Sequence, residues 1–158
     1  MRLGITGHRG LPTETEQLVR EALKEEIQRH APEGLVGVSC IADGPDAWFA
    51  EMVLEAGGVL EVVVPAEQYR DGLPEEHHRS YDKLLRQAAE VHRTGMVESD
   101  SQAHMAGSEI LVGVVDELLA VWDGQPARGY GGTADVVAYA ERTGVRTRVV
   151  WPEGARRD

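Results

Sequence analysis

At 158 residues, 42 % hydrophobic and 27 % charged, the chain is long enough to bury a core and reads as one globular domain spanning 1–158. Its 16 Lys and Arg against 27 Asp and Glu leave a net charge of −11, with the basic residues scattered, so neither polymeric nucleic acid nor an anionic membrane surface is an expected partner. One cysteine, Cys40, excludes an internal disulfide and a cysteine-based zinc cluster; with no apolar run near the ~18 residues of a membrane span and no secretion signal read, a cytoplasmic location is expected.

RLGIT (2–6) reads as a first strand, and the stretch GITGHRG places Gly4, Gly7 and Gly10 at spacing three. A helix is expected over 11–30: Thr13 and Glu16 form a capping-box pattern, and Leu18, Val19, Ala22, Leu23 and Ile27 recur at helical spacing. LVGVSCIA (35–42) is a second strand. GPDAWFAEMVLEAGG (44–58) is a helix entered through Gly-Pro-Asp, with Asp46 as its cap and Trp48 and Phe49 as core. VLEVVVP (59–65) is a third strand. Residues 67–80 mix Tyr69, Arg70 and Arg79 with Gly and Pro, and read equally as a lid or as a solvated connection before a helix beginning near Tyr81. A short strand at 91–95 precedes a helix over 99–115, capped by Ser99 or Ser101. Strand 117–124, helix 131–144 and strand 147–152 complete the chain. Strand and helix thus alternate throughout, which predicts an α/β fold: three layers, Rossmann-like and doubly wound, with a mainly parallel sheet and helices on both faces.

In such a sheet ligands bind beyond the carboxyl ends of the strands, where the strand order reverses. Gly7, His8 and Arg9 follow the first strand, Asp43 and Gly44 the second, Tyr69 the third, and Trp122, Asp123 and Gly124 the fifth. The densest signal is ARGYGGTADVV. Arg128, Gly129, Gly131, Gly132 and Thr133 precede or open a helix, where backbone amides and the helix dipole suit a phosphate. GITGHRG alone reads equally as a tight turn, since it is neither a dinucleotide fingerprint nor a Walker motif. Arg9 could hold a phosphate bidentately and His8 could donate to one; Asp43 suits a ribose or base, and Trp122 or Tyr69 a base face. His77 and His78 are adjacent and would diverge on a helix, so a solvated surface is expected for them. His92 and His104 lack metal-type spacing, so no metal site is expected; Cys40 reads as a small core residue.

With GITGHRG, the ADGPD turn and DELLAVWDG followed by GYGGTADVV in place, the chain resembles the SLOG superfamily of Rossmann-like proteins, which includes the LOG phosphoribohydrolases, DprA and the YpsA-like proteins. The resemblance implies a nucleotide-type ligand, and it implies pairing as a homodimer. In the LOG enzymes the glycine motif reads Pro-Gly-Gly-x-Gly-Thr-x-x-Glu, and its Glu works with an upstream Arg to cleave a nucleoside monophosphate. Aligned on Gly132-Thr133, this chain carries Val136 at the position of that Glu, and the upstream helix holds no arginine. The expected function is therefore binding of a nucleotide or nucleotide-derived phosphorylated small molecule, without a further cofactor. The alternatives are a nucleotide N-glycosidase using Asp135, Asp43 or Glu109 as its carboxylate, and a protein-interaction module with a vestigial site.

Overall fold

The computed structural model describes residues 1–158. Six strands form one sheet in the order β4-β3-β2-β1-β5-β6, with β1 at Arg2–Gly7, β2 at Val36–Ser39, β3 at Val59–Val64, β4 at Glu90–Arg93, β5 at Glu117–Val121 and β6 at Arg146–Val149. Every pairing is parallel, as the alternation of strand and helix predicts. Five helices connect them: α1 (Thr13–His30), α2 (Pro45–Glu55), α3 (His78–Gln87), α4 (Ser101–Gly113) and α5 (Thr133–Arg142). The first three cover one face and α4 and α5 the other. Val19, Leu23 and Ile27 of α1 pack with Phe49 of α2 onto Leu3 and Ile5. Leu111 and Val112 of α4 pack with Val136 and Ala140 of α5 onto Val38, Val63 and Leu118. This is the three-layer, doubly wound α/β fold, and its order reverses between β1 and β5.

The glycines of GITGHRG have a structural cause. A Cβ on Gly4 would stand 2.7 Å from Leu111 Cδ2 of α4, and one on Gly7 would stand 2.8 Å from Val121 Cβ and 3.1 Å from Pro45 Cβ. They thin the central strand on opposite faces, so that α4 and the start of α2 lie directly against it. Gly10 has φ +66 in open space, where a left-handed turn leads the chain toward α1. Packing accounts for two of the three glycines and a turn for the third.

Local details depart from the sequence reading at the caps. The Thr13–Glu16 box does not form. Pro12 occupies the cap position with no side chain to accept, Thr13 is already helical, and Glu16 turns to Arg20 at 2.8 Å. Helix α4 is capped by Asp100, whose carboxylate accepts from the Ala103 amide at 2.8 Å, and not by Ser99 or Ser101. Asp46 lies inside the first turn of α2 after Gly44 and Pro45, and does not cap it. The 67–80 segment is a packed connection of two short 3₁₀ turns. Tyr69 and Leu73 join the core, and His77, expected at a solvated surface, is buried with its Nε2–H donating to the Ile41 carbonyl at 3.0 Å.

Metal-type ligands come together only on β3 and β4. Glu61, Glu90 and His92 share a small cluster, but the Arg2 guanidinium already engages both Glu61 oxygens, at 2.6 and 3.0 Å, and His92 Nε2 lies 2.9 Å from the same carboxylate. Arg2 Nε also donates to the Val114 carbonyl just past α4, so this network ties the amino-terminal ends of the strands together.

Gly7→Ala is expected to destabilise the fold by about 1–3 kcal/mol, because neither Val121 nor Pro45 can withdraw. Gly113→Ala, with open space around it, should leave the urea-unfolding midpoint unchanged or raise it.

Candidate functional site

The chain-order reversal opens a cleft of about 300 Å³ above the carboxyl ends of β1 and β5. Its floor is Ile5, Gly7, Leu111 and Val136. One wall is the 127–133 loop, and the other is the corner between β2 and α2.

The loop wall is shaped by Gly131 at φ +87, a conformation costly for any other residue; a Cβ there would also lie 3.0 Å from the Ser101 carbonyl. The Gly131 amide donates to Asp135 Oδ2 at 2.9 Å, and the Gly132 amide to the Gly129 carbonyl at 3.2 Å. The next two amides, of Thr133 and Ala134, find no acceptor in the protein, leaving two donors at the positive end of α5. The Thr133 hydroxyl lies 3.3 Å from His8 Nδ1. Burial and then the positive charge of Arg157 lower the His8 pKa, so the ring is neutral at pH 7. The Asp123 amide donates to His8 Nε2 at 3.1 Å. Asp123 Oδ1 lies at the same 3.1 Å from Nε2, so Asp123 holds this edge of the ring through both its amide and its carboxylate, while Nδ1 faces Thr133 Oγ1.

Three guanidinium groups reach the cleft in a chain of net charge −11: Arg9, Arg128 and Arg157. Arg9 is already paired, its Nη2 2.6 Å and its Nε 2.9 Å from Asp43 Oδ1. Arg157 arrives by a long-range device. After β6 the chain turns back over the sheet, Trp151 meets the His8 ring edge-on at 5.9 Å, and the segment docks on α1. There Thr15, wholly buried, donates from its hydroxyl to the Arg156 carbonyl at 2.9 Å and accepts from the Arg156 amide at 3.0 Å. One hydroxyl thus clamps both backbone groups of the residue before Arg157.

The opposite wall carries strain. Ile41, fully buried, has φ +47, which is unusual for a β-branched residue. Three polar contacts hold it there. Its amide donates to Ser39 Oγ at 2.9 Å, its carbonyl accepts from His77, and Ser39 Oγ in turn donates to the Asp46 carbonyl at 2.9 Å. This bend ends β2 at Ser39, three residues short of the predicted end, and turns Cys40 and Ala42 into the cleft. Beside them Asp46 is the one carboxyl lining the cleft. It opens toward the cleft and is otherwise enclosed. Burial raises its pKa to about 7, against the lowering effect of a hydrogen bond from the Ala42 amide and the charge of Arg9. Burial and then Asp46 push the Cys40 thiol up, so it stays protonated. Tyr69 closes this end, buried against Tyr81 and meeting His104 edge-on at 5.7 Å. Burial lowers the His104 pKa, with Arg9 adding to the effect, and its Nε2 lies 2.9 Å from Ser99 Oγ.

Of the residues singled out in the sequence, Gly7, His8, Arg9, Tyr69, Arg128, Gly129, Gly131, Gly132 and Thr133 line this cleft. Five do not. Asp43 and Gly44 open onto a separate groove beside Trp48 and His77. The Trp122 indole N–H turns to the Gln125 carbonyl at 2.8 Å, so that side chain is engaged in its own turn. Asp123 supports His8 from behind, and Gly124, at φ +82, shapes the turn after it. Sequence reasoning missed Asp46, His104, Ser108 and Arg157, all of which line the cleft. Asp46 carried a readable signal in the ADGPD turn, where a buried carboxyl competes with a helix cap. Arg157 carried none, since its position depends on a clamp 141 residues away in sequence.

Two outcomes test this description. Asp46→Asn should stabilise the protein at pH 8 and lose that advantage toward pH 4. The folded-state pKa is raised, so the carboxyl's favourable contribution is complete below about pH 4 and vanishes as pH rises through 7. Denaturant unfolding at several pH values reads this. Arg157→Gln should raise the His8 pKa, followed by NMR titration of the ring, because a nearby positive charge is removed.

No protein-family model and no curated protein matches the chain. Solved structures do. DprA from Streptococcus pneumoniae superposes with a TM-score of 0.66 at 17 % identity, over 94 % of this chain and 49 % of that one. DprA from Helicobacter pylori, described with a single-stranded DNA binding mode, gives 0.68 at 16 % identity, over 94 % of this chain and 64 % of that one. The molybdenum cofactor binding protein from Rippkaea orientalis gives 0.61 at 17 % identity, over 94 % and 74 %. The chain spans about half the length of the pneumococcal DprA. What the three share with this chain is the Rossmann-like fold.

Proposed function

We propose that the cleft binds a phosphorylated small molecule of nucleotide type. The observation that carries this reading is the unpartnered amide of Thr133, followed by that of Ala134, at the start of α5, where Thr133 lines a cleft that also holds Arg128 and Arg157 although the chain as a whole is strongly acidic. Two free amides, a hydroxyl and two guanidinium groups are the donors a phosphate needs. The cleft volume, about 300 Å³, lies at the lower end of ligand pockets of roughly 300–1,000 Å³, which suits a mononucleotide better than a dinucleotide.

Structural neighbours described as binding the molybdenum cofactor or single-stranded DNA support binding at a general level. The net charge of −11 favours the small ligand over a polymer. For the N-glycosidase alternative, Asp135 is spent on the Gly131 amide, Asp43 on Arg9, and Glu109 is exposed on α4 outside the cleft. Of the three carboxylates weighed for that chemistry, none lines the cleft.

Calorimetry with ribose 5-phosphate, nucleoside monophosphates and the matching nucleosides tests the proposal. The phosphorylated compounds should bind and the nucleosides should not. Arg157→Ala and Thr133→Val should each weaken the phosphorylated ligands about tenfold or more, as expected for lost hydrogen bonds to a charged group. Failure of every phosphorylated compound to bind the unaltered protein would turn the assignment toward the interaction module.

A further inference from the structure

A phosphate site leaves Asp46 without a purpose. It is the one carboxyl lining the cleft, and no side chain neutralises it there: Arg9 is committed to Asp43 at 2.6 Å, while Arg128 and Arg157 belong to the loop and the docked segment that form the phosphate end. Its one protein donor is the Ala42 amide. Two free oxygens hold about four lone-pair positions, so most of its accepting capacity faces the cleft. The protein also holds Ile41 in a strained conformation at the same corner, through Ser39 and His77. Because Asp46 is only partly enclosed and its oxygens open to the cleft, a ligand that brings neutral donors there gains hydrogen bonds to a charged acceptor.

The surroundings limit what those donors can be. Three guanidinium groups already line the cleft, so a cationic ligand is disfavoured, and the phosphate end calls for an anion. The carboxyl must then meet neutral N–H groups. Tyr69 and His104 wall this end with aromatic surface, which suits a flat ring. Among flat heterocycles, an ionised carboxylate pairs in two-pronged fashion with two adjacent N–H donors, as guanine offers at N1 and its 2-amino group. Adenine places an acceptor beside its amino group, and hypoxanthine offers a single donor. We infer that Asp46 reads a donor–donor heterocycle edge, so that the ligand class of the cleft is a phosphorylated compound with a guanine-type 2-amino-4-oxopyrimidine ring. This rests on the phosphate reading and narrows it.

The groups facing Asp46 are Arg9 and Asp43 from the adjoining loops, Cys40 at the end of β2, Tyr69 and His104. Comparing ligands that share one phosphate removes the titration of the phosphate itself from the result. The experiment is calorimetric titration of the unaltered protein with ribose 5-phosphate, AMP, IMP and GMP at pH 8 and pH 6. GMP should bind at least about tenfold more tightly than IMP or AMP at pH 8. Its advantage over ribose 5-phosphate should shrink at pH 6, where the carboxyl is protonated. In Asp46→Asn the ratio of GMP to IMP affinity should fall toward one. Binding of ribose 5-phosphate with equal affinities for the three nucleotides would overturn the role of Asp46 and leave the phosphate site standing. A preference for AMP that grows on acidification would also overturn it, since the carboxyl would then act as a hydrogen-bond donor. If none of the four compounds binds, the phosphate reading fails and this inference falls with it.

Discussion

The structure depends on how closely helices approach the central strand. β1 has neighbours on both edges and helices on both faces, and Gly4 and Gly7 remove the side chains that would hold those helices off. With Gly4 bare, Leu111 of α4 rests on one face. With Gly7 bare, Pro45 at the start of α2 rests on the other, against Val121 of β5. The same contacts that close the core therefore bring the start of α2 and the end of β5 up to the end of β1, where the sheet order reverses. The cleft follows from that thinness, and its walls are the loops those elements carry.

Electrostatics and strain are distributed unevenly around this opening. The molecule is acidic, yet guanidinium groups and the unpartnered amides of α5 collect at one end of the cleft. The other end holds a carboxyl with a pKa near 7, a protonated thiol and a β-branched residue in left-handed geometry. Buried ionisable groups and local strain cost free energy, and a fold selected for stability alone would place a small apolar residue at position 46. The Thr15 clamp has the same character. A buried hydroxyl on α1 serves the backbone of Arg156, and the effect is to present Arg157 beside His8.

Much of the architecture was legible because it rests on local rules. Alternating apolar runs and amphipathic stretches place all six strands and five helices close to their observed limits, since each element must bury one face whatever its partners are. The glycine-rich entry to α5 was legible for a similar reason: a loop that leads backbone amides into a helix start needs residues without side chains. The caps were less so. Thr13 and Ser101 fit the statistics of a cap but stand one position inside their helices, where their hydroxyls cannot reach the first-turn amides.

What the sequence determined by itself is the alternation of strand and helix, the absence of a disulfide framework and the location of the glycine-rich turns, all set by short-range sterics and hydrophobic period. Tertiary structure alone decided the rest. Arg9 faces Asp43 across 34 residues, His77 is drawn inward by a carbonyl 36 residues away, and Arg157 reaches the cleft because of a hydroxyl on α1. Asp46 becomes a cleft carboxyl and not a cap because Pro45 sets the first turn and burial raises its pKa. Polar side chains take whichever partner the packed fold brings within about 3 Å, and sequence spacing does not encode that distance.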